Sequence, residues 1–511
     1  MDIGRLLAFI FYFAAVLAIG IIFFLRSKSG GEKEYFLGGR AMGPWVTAMS
    51  AQASDMSGWL LMGFPGAILA FGLGQVWIGI GLGIGTIANW VLVARRLRRF
   101  SQASGDSITL PQYLTNRFAT ANPALKIACA VIFLISFTIY VASAFNAGTA
   151  VFTKVLPALV GKEVLAMAIF AAIVLVYTFL GGYKAVCWTD FFQGIMMLCA
   201  LLLVPIVMAI GGEFNSELSG AFKEGVTAFG SNPFKASFGE IVSGLGWGLG
   251  YFGMPHILVR FMAIKDAKMV KKSAIVACSW VVLSLGAAIA IAILGRTFLL
   301  SDGVSIADKL LPGNQQNIFI EIVVDMFPGF IAGILLAAII AASMSTADSQ
   351  LLVASSAFTS DLYQPLIRRG KASERETLWV GRIVVAVVTL IAFAIAASGV
   401  GKADSWASNI MAMVENAWGL FGAAFGPVVI LSLFWRRFNY AGALAGILAG
   451  AVVDLVWLFT LTGITGVYEI VPGFIVGAIA AVVTTLLTKE PSAEVTAIYD
   501  AAVCEDPTVE K

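Results

Sequence analysis

The sequence predicts an all-α polytopic membrane protein with about 13 transmembrane helices, and three observations carry that prediction. Of its residues, 59% are hydrophobic and only 12% are charged, with a mean hydropathy of +0.91. Apolar stretches of bilayer-crossing length recur from one end of the chain to the other. The basic residues alternate in number from one connecting segment to the next. Soluble domains carry about a quarter charged residues, so half that density cannot build a hydrated exterior, and the chain must show apolar surface to lipid. A net charge of +3 spread over short loops excludes a nucleic-acid-binding class. The five cysteines have no ligand-like spacing and read as free thiols.

A helix that crosses the bilayer needs roughly 20 apolar residues. The candidate spans are 4–25, 45–70, 74–97, 125–153, 163–182, 190–211, 239–262, 273–300, 317–347, 376–399, 404–435, 439–463 and 468–488. Gly, Pro or Ser clusters in the second, seventh and ninth mark places where a helix can break. The first span lacks a basic start and a cleavage motif, so it is expected to be retained. With the N-terminus outside and the C-terminus cytoplasmic, 25 of the 33 Lys and Arg residues fall on the cytoplasmic side. These include Lys28, Arg40, Arg260 and Lys511, whereas Lys223 and Lys309 fall outside, in agreement with the positive-inside rule. Residues 1–490 read as one transmembrane domain and 491–511 as a short, loose cytoplasmic tail.

Against lipid, polar residues inside spans stand out. Asp55 sits about ten residues into the second span, within Ser50-Ala-Gln-Ala-Ser-Asp-Met-Ser-Gly58. A mid-membrane acid costs about 2.5–3.5 kcal/mol on insertion scales. A bound cation is the simplest compensation, and a buried Arg or Lys is the alternative. The small residues around it allow the backbone to unwind and turn carbonyls toward a cavity, or else allow close helix packing. At the end of the ninth span, Ala342, Ser345 and Thr346 share one helix face. Their carbonyl and hydroxyls form an all-oxygen set suited to a hard cation, unless the hydroxyls simply bond back along their own helix.

Gly244-Leu-Gly-Trp-Gly-Leu-Gly-Tyr-Phe-Gly-Met-Pro-His256 cannot hold a regular helix. In it Trp247 and Tyr251 are spaced to wall a small substrate. His256 has no partner for a proton relay and reads as structural or interfacial. Asp190 opens the sixth span near its cytoplasmic end, where the helix dipole favours an acid and where an ion exit site is the alternative. Glu415 and Asp454 fall inside late spans without an evident role.

These stretches resemble the sodium:solute symporter family, and within it the members that carry proline. The matching runs are Leu37–Pro44, Ala53–Gly63, Gly181–Asp190, Gly246–Met262, Met344–Thr346 and Ala417–Pro427, in family order, across about residues 5–490. The resemblance implies a LeuT-type core of two inverted five-helix repeats, here about 45–211 and 239–435. It implies a sodium site from the carbonyls of Ala53, Met56 and Ala342 and the hydroxyls of Ser345 and Thr346, with Asp55 and Ser57 contributing to sodium affinity. It implies a substrate pocket around Ser54, Gly58, Trp59, Tyr140, Trp247, Tyr251 and Pro255, and a transport role for Arg40. Met254 and Val141 depart from the proline-carrying pattern, which has Gln and Cys there. The expected activity is therefore sodium-coupled import of L-proline or a similar small solute across a bacterial inner membrane. No enzymatic chemistry, cofactor beyond the coupling ion or obligate protein partner is expected. Another solute of the same family (pantothenate, sialic acid, a sugar or acetate) is the nearest alternative. A transport-like membrane sensor is the alternative from another class.

Overall fold

The computed structural model describes residues 2–26, 32–211, 232–301, 315–402 and 405–504. Lys28, Lys223, Lys309 and Lys511 of the charge tally lie outside the described residues, as do residues 505–511 of the tail. Ten helices among the described residues are long and apolar enough to cross a membrane.

The chain begins with α1 (Ile3–Arg26), which lies against the centre of the molecule. The second expected span is broken as its composition suggests. Helix α2 (Pro44–Asp55) stops at Met56, and the chain resumes in a wide turn at Trp59–Gly63 followed by α3 (Phe64–Phe71). Then come α4 (Val76–Ala88), which continues through wider turns to Ala103, and the long α5 (Ala124–Val155). The fifth and sixth spans run together as α6 (Glu163–Gly211), 49 residues in length. At 1.5 Å per residue a straight helix of that length would reach about 74 Å, more than twice a hydrocarbon core. Gly182, at φ 66°, turns the chain between two crossings.

The glycine-rich segment breaks as expected. Helix α7 (Phe238–Gly246) gives way to a tight turn at Trp247–Phe252, and α8 (Pro255–Ala263) restarts on its proline. Helices α9 (Val270–Ser301), α10 (Gly329–Phe358), α11 (Glu374–Gly399), α12 (Ile410–Phe434), α13 (Tyr440–Thr460), α14 (Ile470–Leu487) and the tail helix α15 (Ala493–Val503) follow. Within the described part of the tail, Ala493–Val503 form α15, and Arg436 grips Asp500 at 2.7 Å.

The ninth span differs from expectation. Residues 318–326 form a separate short helix, and Pro328 starts α10, which runs unbroken to Phe358. The run Ala342–Thr346 therefore lies at the middle of a helix rather than at its end. The polar residues that looked like a terminus, up to Gln350, are all buried in the molecule. Helix α10 packs against α1, α5, α6 and α2, while α13 and α14 pair beside α12 at the periphery. Apolar side chains such as Phe11, Val91, Leu390 and Val452 are exposed on the outer faces, as lipid contact demands.

Candidate ion and substrate site

The break in α2 faces the middle of α10. Helix α2 ends when Met56 donates its N–H to the Gln52 carbonyl, so the carbonyls just before the break lose their next partners along the helix. Two side chains from other helices reach them. The Ser345 hydroxyl donates to the Ala53 carbonyl at 2.8 Å and is 3.2 Å from the Ala342 carbonyl of its own helix. The Tyr140 hydroxyl donates to the Asp55 carbonyl at 3.2 Å. Thr346 is fully buried, and its hydroxyl has no hydrogen-bond partner. The Ala53 and Ala342 carbonyls thus meet at the Ser345 hydroxyl as an oxygen-rich cradle between a broken and an intact helix, with the buried Thr346 next to it along α10. Met56 sits at the break itself, and Ser57 accepts the Trp59 N–H at 3.4 Å.

Asp55 is buried and, among the described residues, has no basic partner. Its Oδ2 accepts the Tyr251 hydroxyl at 2.6 Å, and its Oδ1 has no hydrogen bond. Compensation by a buried Arg or Lys is therefore not what this site uses. Tyr251 ties the break to an aromatic wall. Its ring meets Trp418 edge-on at 5.1 Å, and Trp418 stacks at 6.4 Å on Trp247. Trp418 also donates its indole N–H to the Trp247 carbonyl at 2.7 Å. Trp247 in turn lies 6.2 Å from Trp59, across the start of the resumed second span. Gly58 is helical, so its need is for space: a methyl there would lie 2.6 Å from the Ala147 Cβ and 3.0 Å from the Ser343 Oγ. Ser54 bonds back to the Ala51 carbonyl at 3.1 Å, and Pro255 opens α8 below the wall. Tyr468, whose ring is 5.3 Å from Trp247, and Trp418 also belong to the wall; Trp418 falls in the family-like run Ala417–Pro427 but was not assigned to the pocket, and Tyr468 carried no sequence signal beyond being aromatic at the edge of an apolar span.

Gly250 makes that wall possible, because a Cβ there would run into the Trp418 indole. Gly250→Ala is expected to push Trp418 off the Trp247 carbonyl and weaken substrate affinity by roughly 10-fold, the value of one buried hydrogen bond plus lost packing. Sodium half-saturation is expected to change less. Equal losses in both would contradict a division of labour between wall and cradle.

Asp190 and Arg260 depart most from the sequence expectations. Asp190 does not sit at a helix start, for it lies two turns beyond the Gly182 kink and is fully buried. Arg260 is not in a cytoplasmic loop. It is 1% exposed and lies 3.1 Å from Asp190 Oδ2. Its guanidinium also donates to the Ser50 Oγ at 3.1 Å, the Ser349 Oγ at 2.5 Å and the His256 carbonyl at 2.6 Å, while Ser50 donates to Asp190 at 2.7 Å. One cation thus joins α2, α6, α8 and α10 directly below the cradle. Asp348, one turn past Ser345, is buried within reach of their charges and neither of its oxygens has a hydrogen bond. His256 is buried against Phe137 and Tyr140 rather than interfacial.

Arg40 is held apart from this site. At φ 54°, it bonds the Ser107 carbonyl at 2.8 Å and the Met262 carbonyl at 3.1 Å and pairs with Asp106 at 2.8 Å. Burial pushes its guanidinium down to about 10, Arg98 adds to the effect and Asp106 opposes it. Arg40 therefore clamps the connection before α2 to the end of α8.

A broken helix offering carbonyls to a hydroxyl row, with a second broken helix walling a pocket beside it, is the architecture of a secondary membrane transporter. The pattern described as "SSF: Sodium:solute symporter family" matches residues 35–450. The chain is 43% identical over 490 residues to the sodium/proline symporter of Escherichia coli (strain K12), covering 96% of this chain and 94% of that one. It is 41% identical over 504 residues to the osmoregulated proline transporter OpuE of Bacillus subtilis (strain 168), covering 96% of each. A solved Na+-coupled sialic acid symporter, substrate-bound and outward-open, superposes with a TM-score of 0.75 at 22% identity over 96% of this chain and 98% of that one. MhsT in complex with L-phenylalanine superposes at 0.54 with 14% identity, over 86% and 97%. The chain belongs to the sodium:solute symporter family. Its fold is the LeuT type, it is a multi-pass membrane protein, and the family couples transport to sodium rather than catalysing a reaction.

Proposed function

We propose that this protein imports L-proline across a bacterial inner membrane with sodium, by alternating access, through 13 crossings with the N-terminus outside. Sodium binds to the carbonyls of Ala53, Met56 and Ala342 and the hydroxyls of Ser345 and Thr346, with Asp55 and Ser57 supporting the charge. The substrate lies among Ser54, Gly58, Trp59, Tyr140, Trp247, Tyr251 and Pro255, and the repeats 45–211 and 239–435 rock about it. The observation that carries the reading is the Ser345 hydrogen bond to the Ala53 carbonyl across the break in α2. When an ion enters, the Ser345 hydroxyl turns its oxygen inward, and the ion replaces that hydrogen bond with several shorter contacts. Asp55 lies beside the cradle and holds Tyr251, so drawing the break toward α10 also moves the aromatic wall. Ion and substrate thereby act on one shared residue. Proline suits such a wall because it is compact and apolar, and the proline-carrying relatives support that choice. One sodium moving down 100 mV releases about 2.3 kcal/mol, enough for roughly 50-fold accumulation from voltage alone.

Uptake of radiolabelled proline into proteoliposomes, with and without an inward sodium gradient, tests the reading. Uptake that requires the gradient is expected. Proline uptake indifferent to sodium overturns the coupling. Sodium-protected thermal stability without proline uptake overturns the substrate and keeps the ion.

A further inference from the structure

Two acids on the last crossing helices play no part in the site described above. Asp454 of α13 is fully buried, and neither of its carboxylate oxygens has a hydrogen-bond partner. Glu469, just before α14, is 1% exposed; its Oε2 accepts the Thr462 hydroxyl at 3.2 Å and its Oε1 has no partner. They converge on Gly419 of α12. A methyl placed on that glycine would lie 3.1 Å from Asp454 Oδ1, 3.3 Å from the Tyr468 ring and 3.4 Å from Glu469 Cγ.

The titratable groups acting on this spot from the packed elements are Glu415 of α12, Tyr468 beside Glu469, and Tyr140 of α5 by way of Tyr468. Among the described residues, no Lys, Arg or His acts on either acid. Two buried acids that meet on one glycine in apolar surroundings cannot both ionise without compensation. A single proton is the smallest compensation, and two acids meeting on one glycine can carry it in place of one of their charges. The spot also touches the aromatic wall. Tyr468 packs on Trp247 at 5.3 Å, donates its hydroxyl to the Glu415 carbonyl at 2.7 Å and donates its N–H to Ser243 at 3.0 Å.

We infer that Asp454 and Glu469 hold one proton between them, and that this shared proton keeps Tyr468 seated on Trp247. Losing the proton places two like charges behind Tyr468 and loosens the wall from outside the ion path. The sign follows from linkage. A folded state that binds a proton which the unfolded chain has already released loses stability as pH rises.

The test uses the purified full chain with Asp454→Asn and Glu469→Gln, both near-isosteric. The infrared carbonyl band of a protonated carboxylic acid is expected at neutral pH in the wild type and weaker in each variant. The alkaline fall in Tm is expected to be flatter in both. An undiminished band in both variants overturns the shared proton, and so does absence of the band from the wild type, a readout that survives if a variant fails to fold. These measurements need no transport and stand apart from the substrate assignment. The link to Trp247 is read from KM for proline, which is expected to rise with external pH in the wild type and not in Glu469→Gln. An equal rise in both overturns that link.

Discussion

Asp55→Asn is expected to raise the sodium concentration for half-maximal uptake by roughly 10- to 100-fold, while leaving the protein folded. The reasoning starts from geometry. The amide has the size of the carboxylate and can still accept the Tyr251 hydroxyl, now 2.6 Å from Oδ2, through its own oxygen. The aromatic wall therefore keeps its anchor, and the substitution removes charge alone. Interactions with a charged group contribute about 1.5–3 kcal/mol, and losing one converts to the stated fold-change. Tyr251→Phe is the complement, because it leaves the charge and cuts the tie between cradle and wall. Its expected signature is loss of coupling, with substrate no longer increasing sodium affinity. Sodium titrations of uptake, or of thermal protection in the purified protein, read both variants. An Asn variant with unaltered sodium dependence would remove Asp55 from the ion site.

Arg260→Gln is expected to have the largest effect on stability. The guanidinium is the hub between Asp190, Ser50, Ser349 and the His256 carbonyl. Removing it leaves Asp190 charged and buried beside Asp348, with no other cation among the described residues in reach. Breaking a buried pair in this way costs about 3–5 kcal/mol, whereas replacing both partners is often nearly neutral. Arg260→Gln combined with Asp190→Asn is therefore expected to recover most of the lost Tm. A double variant no more stable than the single one would show that Arg260 serves through its other hydrogen bonds and not through the ion pair.

Much of the fold was legible before any contact was known, because lipid imposes one-dimensional rules. A span must be apolar for about 20 residues, and basic loops stay on one side. Breaks were equally legible at Ser50–Gly58 and Gly244–His256, where small residues, glycines and a proline deny the backbone a regular helix. The ninth span misled for a related reason. Ser343 to Gln350 looks like a helix running into water, yet it runs through the centre of the protein, where hydroxyls and carboxylates meet other helices instead of solvent. Arg260 misled more sharply, since a lone Arg next to a basic loop is indistinguishable from a loop residue until Asp190 is found 70 positions away in sequence.

By itself the sequence determined the membrane class and the breaks at Ser50–Gly58 and Gly244–His256, since each rests on local composition, whereas joining Ala53 and Met56 to Ala342, Ser345 and Thr346 rested on the family resemblance. Only the tertiary structure decided which charges are paired and which buried acids lack partners. It alone showed that Trp418 and Tyr468 complete the wall around Trp247, and that Tyr251 joins cradle to wall. Those facts depend on which helices pack together, and a buried charge's cost or use is set by the groups that packing brings within a few ångströms.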